Sequence, residues 1–203
     1  MIRYDAEGTP RGALLVLAHG AGAGERHPFM VSYARALAAR GVDVVTFEFP
    51  YMADKRRAPD RAPVLEEAFR HAIVQAQGEG HPGRLFIGGK SMGGRIATHL
   101  AAQPTSGLGG VVSLGYPLHP PGKPEQKRIQ HFPRIGVPWL IVQGQRDAFG
   151  TPAELEPELK VVHSPVELHV VRGGDHSLTV KGRAADAVRD ECVETIVGWM
   201  ARV

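Results

Sequence analysis

The stretch RLFIGGKSMGGR, residues 84–95, allows very few local structures. Leu85, Phe86 and Ile87 form a β-forming run that ends in Gly88 and Gly89, and a helix-compatible run extends from Gly94 to Gln103. A strand, a sharp turn and a helix must therefore follow one another, with Ser91 at the apex. So tight a turn holds its apex residue in a strained backbone conformation, and glycines at 89 and 93 remove the Cβ atoms that would keep strand and helix apart. The Ser91 hydroxyl is pushed out beyond the sheet edge. Gly-Lys-Ser at 89–91 also ends phosphate-binding loops, but that pattern needs a glycine where Arg84 stands and a flexible arc where this chain has a strand. Because G-x-S-x-G is short and recurs by chance, the rest of the chain has to decide its meaning.

With 203 residues, 43% of them hydrophobic, and apolar runs spread evenly, the chain is expected to form a single domain spanning 1–203. A formal net charge of +3 is too small to single out a nucleic-acid partner, and none is assigned. The one cysteine, Cys192, excludes an internal disulfide, and it falls on the apolar stripe Val188, Cys192, Ile196, Trp199 as a structural thiol would. The apolar run 13–18 is too short for a signal peptide and is preceded by Asp5 and Glu7, while no stretch approaches the roughly 20 apolar residues of a membrane span. The expectation is a soluble, cytoplasmic monomer or homodimer without membrane association.

After a short leader, six strands stand out, at 14–19, 42–49, 85–88, 110–116, 138–144 and 165–171. Between and after them lie helical patterns at 29–40, 64–78, 94–103, from 151 onward, and 184–202. Thr151-Pro152-Ala153-Glu154 carries a capping box with proline in its first turn. The segment 51–63 reads as a polar, basic loop. Strands that are continuously apolar and alternate with helices belong to a parallel sheet covered on both faces, which presents its functional groups at the carboxyl ends of its strands.

Three such ends matter together. Ser91 follows one strand, Asp147 the strand two later, and His176 the last. The order serine, acid, histidine fits a nucleophile, its base and the carboxylate that orients the base. Serine is a poor nucleophile until a base accepts its proton, and an imidazole does so near neutral pH. Asp175 adjoins His176 in sequence, but neighbouring side chains seldom face one another, which favours Asp147. The turn His19-Gly20-Ala21-Gly22 offers main-chain donors, and the N–H groups of Ala21 and Met92 are the expected oxyanion pair, worth a factor of about a hundred or more in rate. A dinucleotide loop is excluded because the spacing from Gly20 and Gly22 would put its third glycine at Glu25. Gly22, Lys90 and His119 are candidate substrate contacts. No ligand spacing for a metal is present, and hydrolysis by such a trio needs no cofactor.

Taken together, AHGAGAG, GGKSMGGR, GYPLHPPGKP, QGQRDAFGTP and GGDHSL resemble the α/β-hydrolase superfamily, and within it the small dienelactone-hydrolase-like branch that includes the testis-expressed hydrolase-like proteins. The likeness runs from about residue 12 to 203. It implies an α/β-hydrolase fold, a mostly parallel sheet of about six to seven strands with helices on both faces, and a Ser91, Asp147, His176 triad. Dienelactone hydrolases proper use cysteine where this chain has Ser91, so their substrate does not carry over.

The connection 117–137 holds prolines at 117, 120, 121, 124 and 133 and cannot build a large helical lid. The site should be open and suited to a small-molecule ester with a short or activated acyl group. A thioesterase or peptidase on the same triad, or a non-catalytic interaction module, stands as the alternative. Basic residues crowd two strand-end loops, Lys55, Arg56, Arg57 and Arg61 in one and Lys123, Lys127, Arg128 and Arg134 in the other, which leads us to expect a modest preference for anionic esters.

Overall fold

The computed structural model describes residues 1–78, 81, 83–104 and 107–203. In chain order the elements are β1 (Ile2–Tyr4), β2 (Ala13–Ala18), α1 (Pro28–Ala38), β3 (Asp43–Phe47), α2 (Pro50–Ala53), α3 (Ala62–Gln77) and β4 (Arg84–Lys90). They continue with α4 (Met92–Ala101), β5 (Leu108–Leu114), β6 (Trp139–Gly144), α5 (Pro152–Leu159), β7 (Val166–Val171) and α6 (Ala185–Met200). The strands form one seven-stranded sheet in the order β1-β3-β2-β4-β5-β6-β7, parallel except for β1.

Strand after strand is buried on both faces, as the unbroken apolar runs demand: every residue of β2, β5 and β6 is shielded from solvent. Side chains of one parity, such as Val16, Ile87 and Ile141, meet Leu65 and Phe69 of α3 and Ile96 and Leu100 of α4. Those of the other parity, such as Leu15, Phe86 and Leu140, meet Met30 and Leu37 of α1 and Cys192 and Trp199 of α6. Three layers result, with the sheet in the middle. Cys192 lies within the second core, where burial pushes its thiol up to about 11.

Two segments differ from the sequence reading. The expected leader contains β1, which pairs antiparallel with β3 through Ile2 and Thr46. Three residues on a half-exposed edge carry too little periodicity to be seen. The segment 51–63 is not loop throughout, because α2 opens it and buries Tyr51 completely. The connection 117–137 contains only one short 3₁₀ turn, Phe132–Arg134, and among the described residues no lid covers the carboxyl ends of the strands.

Those ends are brought together by a main-chain contact. A Cβ built at Gly93 would overlap the Ala18 carbonyl, and one at Gly89 would lie 2.5 Å from the Gly93 carbonyl carbon and 2.6 Å from Ala18 O. Strand β2 and the β4–α4 turn can thus touch only because both positions lack a side chain. We expect Gly93→Ala to cost at least about 1–3 kcal/mol, the usual range for overpacking, lowering the urea midpoint without changing its slope. A variant as stable as the parent would show that the turn can move away from β2.

Candidate active site

Ser91 sits between β4 and α4 with φ of 51° and ψ of −115°, a strained conformation for a residue with a side chain. Its N–H donates to Leu114 O at 3.0 Å and its carbonyl accepts from Arg95 N at 3.0 Å, so the turn is fixed on both sides. The hydroxyl lies 2.8 Å from His176 Nε2, and His176 Nδ1 lies 2.8 Å from Asp147 Oδ2. An ionised carboxylate can only accept, so Nδ1 carries the proton and the Nε2 lone pair faces the Ser91 hydroxyl. Three residues distant in sequence thus form one hydrogen-bonded chain, at the strand ends anticipated for them.

Asp147 is 1% exposed, and the groups that hold it were not foreseen. Its Oδ1 accepts from Phe149 N at 2.8 Å and its Oδ2 accepts from Gln143 Nε2 at 2.9 Å. Gln143 is fully buried at the end of β6; its Oε1 accepts from Tyr116 N at 2.7 Å, and its amide also donates to Gly150 O at 2.7 Å. A polar residue ending the apolar run PWLIVQ was the visible signal for this bracket. Phe149 stacks on the His176 ring at 4.1 Å and 29°, limiting its rotation. Asp175, by contrast, is exposed, and its Oδ1 accepts from the N–H groups of Ser177 and Thr179 at 2.9 Å each; it shapes its own turn.

The loop after β2 lies against Ser91. A Cβ on Gly20 would come within 3.7 Å of the Ser91 Cβ. Ala21, Ser91 and Met92 line one cavity together, and among the described residues neither the Ala21 nor the Met92 N–H has a protein partner. Tyr51 Oη donates to Ala21 O at 2.9 Å, which fixes the Ala21–Gly22 peptide of the loop. His19 is buried beneath, accepting from Phe49 N at Nε2 over 3.0 Å with its Nδ1 on Gly20 O at 2.7 Å, a structural role.

The three candidate substrate contacts fare differently. Gly22 borders a largely apolar cavity of about 420 Å³ together with Ala21, Phe29, Met30, Phe149 and the Ser91–His176 pair. Lys90 borders it too, but its ammonium is turned back to donate to His176 O at 2.6 Å; Gly115 leaves the space, since a Cβ there would stand 2.9 Å from Lys90 Nζ. His119 is placed away from the two cavities beside Ser91. It is 5% exposed, with Nδ1 on Pro120 O at 2.8 Å. Its main-chain N–H donates to Phe149 O at 3.0 Å, so it backs the stacking ring from behind. The basic loops do not converge as expected either. Arg56 is held by Asp60 at 2.7 Å and Asp54 at 3.3 Å, and Lys127 by Glu158 at 2.6 Å; of the eight basic loop residues named above, only Arg128 lines a cavity at Ser91.

Residues 11–202 match the family model described as an alpha/beta hydrolase domain, and the chain belongs to that family. Its fold is similar to an alpha-beta serine hydrolase homologue from Coxiella burnetii, at 19% identity and a TM-score of 0.77 over 97% of this chain and 89% of that one. It is also similar to a Xanthomonas campestris protein described as an a/b serine hydrolase without lid, at 18% identity and a TM-score of 0.78 over 97% and 87% of the two chains. A dienelactone hydrolase from Anabaena variabilis shares the fold at 18% identity and a TM-score of 0.72, over 97% and 89%. Among the described residues no helix is long and apolar enough to cross a membrane.

Burial pushes the Lys90 ammonium down to about 8, against the attraction of Asp147 and Asp175. In the unfolded chain its proton is held up to about 10.4, so between these values the unfolded state binds more protons and rising pH relieves the cost of the buried charge. Wild type should therefore gain stability relative to Lys90→Met from about pH 8 to about pH 10.4. Urea midpoints measured across that window would check it, and parallel curves would refute it.

Proposed function

We propose that the protein is a serine hydrolase that cleaves small carboxylic esters through an acyl-enzyme. The observation that carries this reading is the unbroken chain Asp147–His176–Ser91, with 2.8 Å at each link, ending on a serine in strained backbone beside two unpartnered N–H groups. In the first half-reaction the Ser91 Oγ attacks the ester carbonyl carbon and its proton passes to His176 Nε2. The imidazolium then protonates the departing alkoxide, leaving the acyl group on Ser91. Water enters, gives a proton to Nε2 and displaces the acyl group as the acid, restoring the Ser91 hydroxyl. Asp147 keeps Nδ1 protonated and stabilises the imidazolium, and the N–H groups of Ala21 and Met92 take the charge that develops on the carbonyl oxygen.

The absence of a lid and an apolar cavity of about 420 Å³ favour a short acyl or alcohol group over a long chain that would need a tunnel. A fluorophosphonate probe reports an activated serine without knowledge of the substrate. Ser91 should be labelled in the wild type and not in Ser91→Ala, and a panel of aryl esters, acyl-thioesters and amides should rank the esters first. Ser91→Ala is expected to keep the fold and lose turnover by about a millionfold, as in comparable triads. Retained esterase activity in that folded variant would overturn the assignment.

The two candidate carboxylates separate by rate. Asp147→Asn should lower kcat/KM by about ten-thousandfold, since the amide imposes the wrong imidazole tautomer, while Asp175→Asn should cost far less. The opposite ranking would mean that the carboxylates have been paired wrongly.

A further inference from the structure

Ser91, Ala21 and Phe149 border two cavities, not one. The larger is the apolar one already described. The smaller, of about 210 Å³, is walled by Met92, Arg95 and Arg128. Arg95 stands one helical turn beyond Ser91 on α4. Arg128 comes from the short connection after β5, where its guanidinium donates to Pro117 O at 3.1 Å. The same two arginines also wall an adjoining cavity of about 280 Å³, together with His99, His131 and Arg134.

What distinguishes this group from ordinary solvated arginines is the lack of counter-charge. Among the described residues no carboxylate lies within ion-pair distance of Arg95, Arg128 or Arg134. The two acidic residues in the cavity walls are committed elsewhere: Asp60 to Arg56 at 2.7 Å, and Glu66 to His99 at 3.0 Å and Arg70 at 3.6 Å. Among the described residues the Arg95 guanidinium has only the weak contact of 3.5 Å to His99 Nε2. Arg134 is exposed, but Arg95 and Arg128 are half-buried, and half-buried cations left unpaired in a cavity wall are costly to hold unless an anion enters. Their surroundings bear the mark of that field: burial, then the charges of His99, Arg95 and Arg134, bring the His131 imidazole down to about 3.

We propose that Arg95 and Arg128 form an anion subsite, so that the ester cleaved at Ser91 carries a carboxylate or phosphate on one arm and an apolar group on the other. This rests on the ester-hydrolase reading above. With the carbonyl at the junction by Ser91, the apolar arm lies towards Phe29 and Met30 and the charged arm towards the two guanidinium groups, whose planar forks suit oxyanions.

The test uses matched esters. An aryl hemisuccinate against the corresponding aryl butyrate probes the acyl arm, and an acetate of 4-hydroxybenzoate against that of its methyl ester probes the alcohol arm. The anionic member should be preferred by about tenfold or more in one of the two pairs at low salt, chiefly through KM, and the preference should shrink at about 0.5 M salt. Arg95→Gln and Arg128→Gln should each reduce the anionic-to-neutral ratio, the double variant should bring it near one, and the corresponding lysine variants should retain part of it. A ratio near one in wild type for both pairs, or one that survives the double substitution, overturns the subsite. If the glutamine variants do not fold, protection of wild-type Ser91 from the fluorophosphonate probe decides. Glutarate or inorganic phosphate should protect where neutral glutaramide does not, the more effective of the two identifying the group, and equal protection by all three refutes the proposal. Labelling and neutral-ester turnover separate the two claims: without them the hydrolase reading fails, whereas with them and no anion preference only the subsite fails.

Discussion

Everything at the carboxyl edge of the sheet depends on two stretches of main chain touching without side chains between them. The end of β2 and the turn from β4 into α4 approach so closely that the Ala18 carbonyl fills the space a Cβ at Gly93 would need. This contact fixes the β2 loop, and with it the Ala21 N–H, relative to the Met92 N–H at the start of α4. It also forces the chain to turn within one residue, which leaves Ser91 at φ of 51°. Strain at the apex is held by hydrogen bonds on both sides, Ser91 N to Leu114 O on the neighbouring strand and Arg95 N to Ser91 O in the first turn of α4, so an unfavourable backbone conformation is offset by favourable bonds.

A second constraint works at the other side of the site. Burying Asp147 removes a carboxylate from water, which is tolerable only if its oxygens find donors. Gln143, Phe149 N and His176 supply them, and Gln143 is itself held by Tyr116 N and Gly150 O. The bracket ties the end of β6 to the end of β5 and to the loop that carries Asp147, so the carboxylate is held from the sheet through Gln143 and from its own loop through Phe149 N. Lys90 does the same for the histidine from the β4 side by donating to His176 O. The imidazole is therefore located by its Nδ1 partner, by Phe149 stacked on its face and by a tether on its backbone.

What was legible in the sequence follows from the range of the interactions involved. The Ser91 turn is local, and glycine spacing alone specifies it. The alternation of apolar runs with helical patterns yields the sheet, and the strand-end rule then brings Asp147 and His176 to the same edge as Ser91. Features governed by distant contacts were not legible. Tyr51 lies in a segment rich in charge, and its burial depends on partners distant in sequence: the core residues around its ring, His19 among them, and the Ala21 carbonyl thirty residues earlier. His119 stands in a connection that looks like a rim, yet its side chain packs inward and only its main chain bears on the site, through Phe149. β1 escaped notice for a different reason, since three residues on a sheet edge carry no period.

The charged rim shows the same limit. Counting basic residues by loop treats each as free, whereas pairing decides which charges a substrate could meet. Arg56 and Lys127 are neutralised by neighbours, while Arg95, on a helix and outside the counted loops, is not. Arg128 is presented because Tyr116 Oη donates to Arg128 O at 2.7 Å and Arg128 N donates to Leu118 O at 2.8 Å, folding the connection back over the end of β5. A connection too short and too rich in proline to form a lid still places one cation, on an anchored stretch of backbone, in the wall of a cavity that Ser91 also lines. In a site open to water, enclosure contributes little to selectivity, and fixed charge in a cavity wall is one means of discrimination that does not need it.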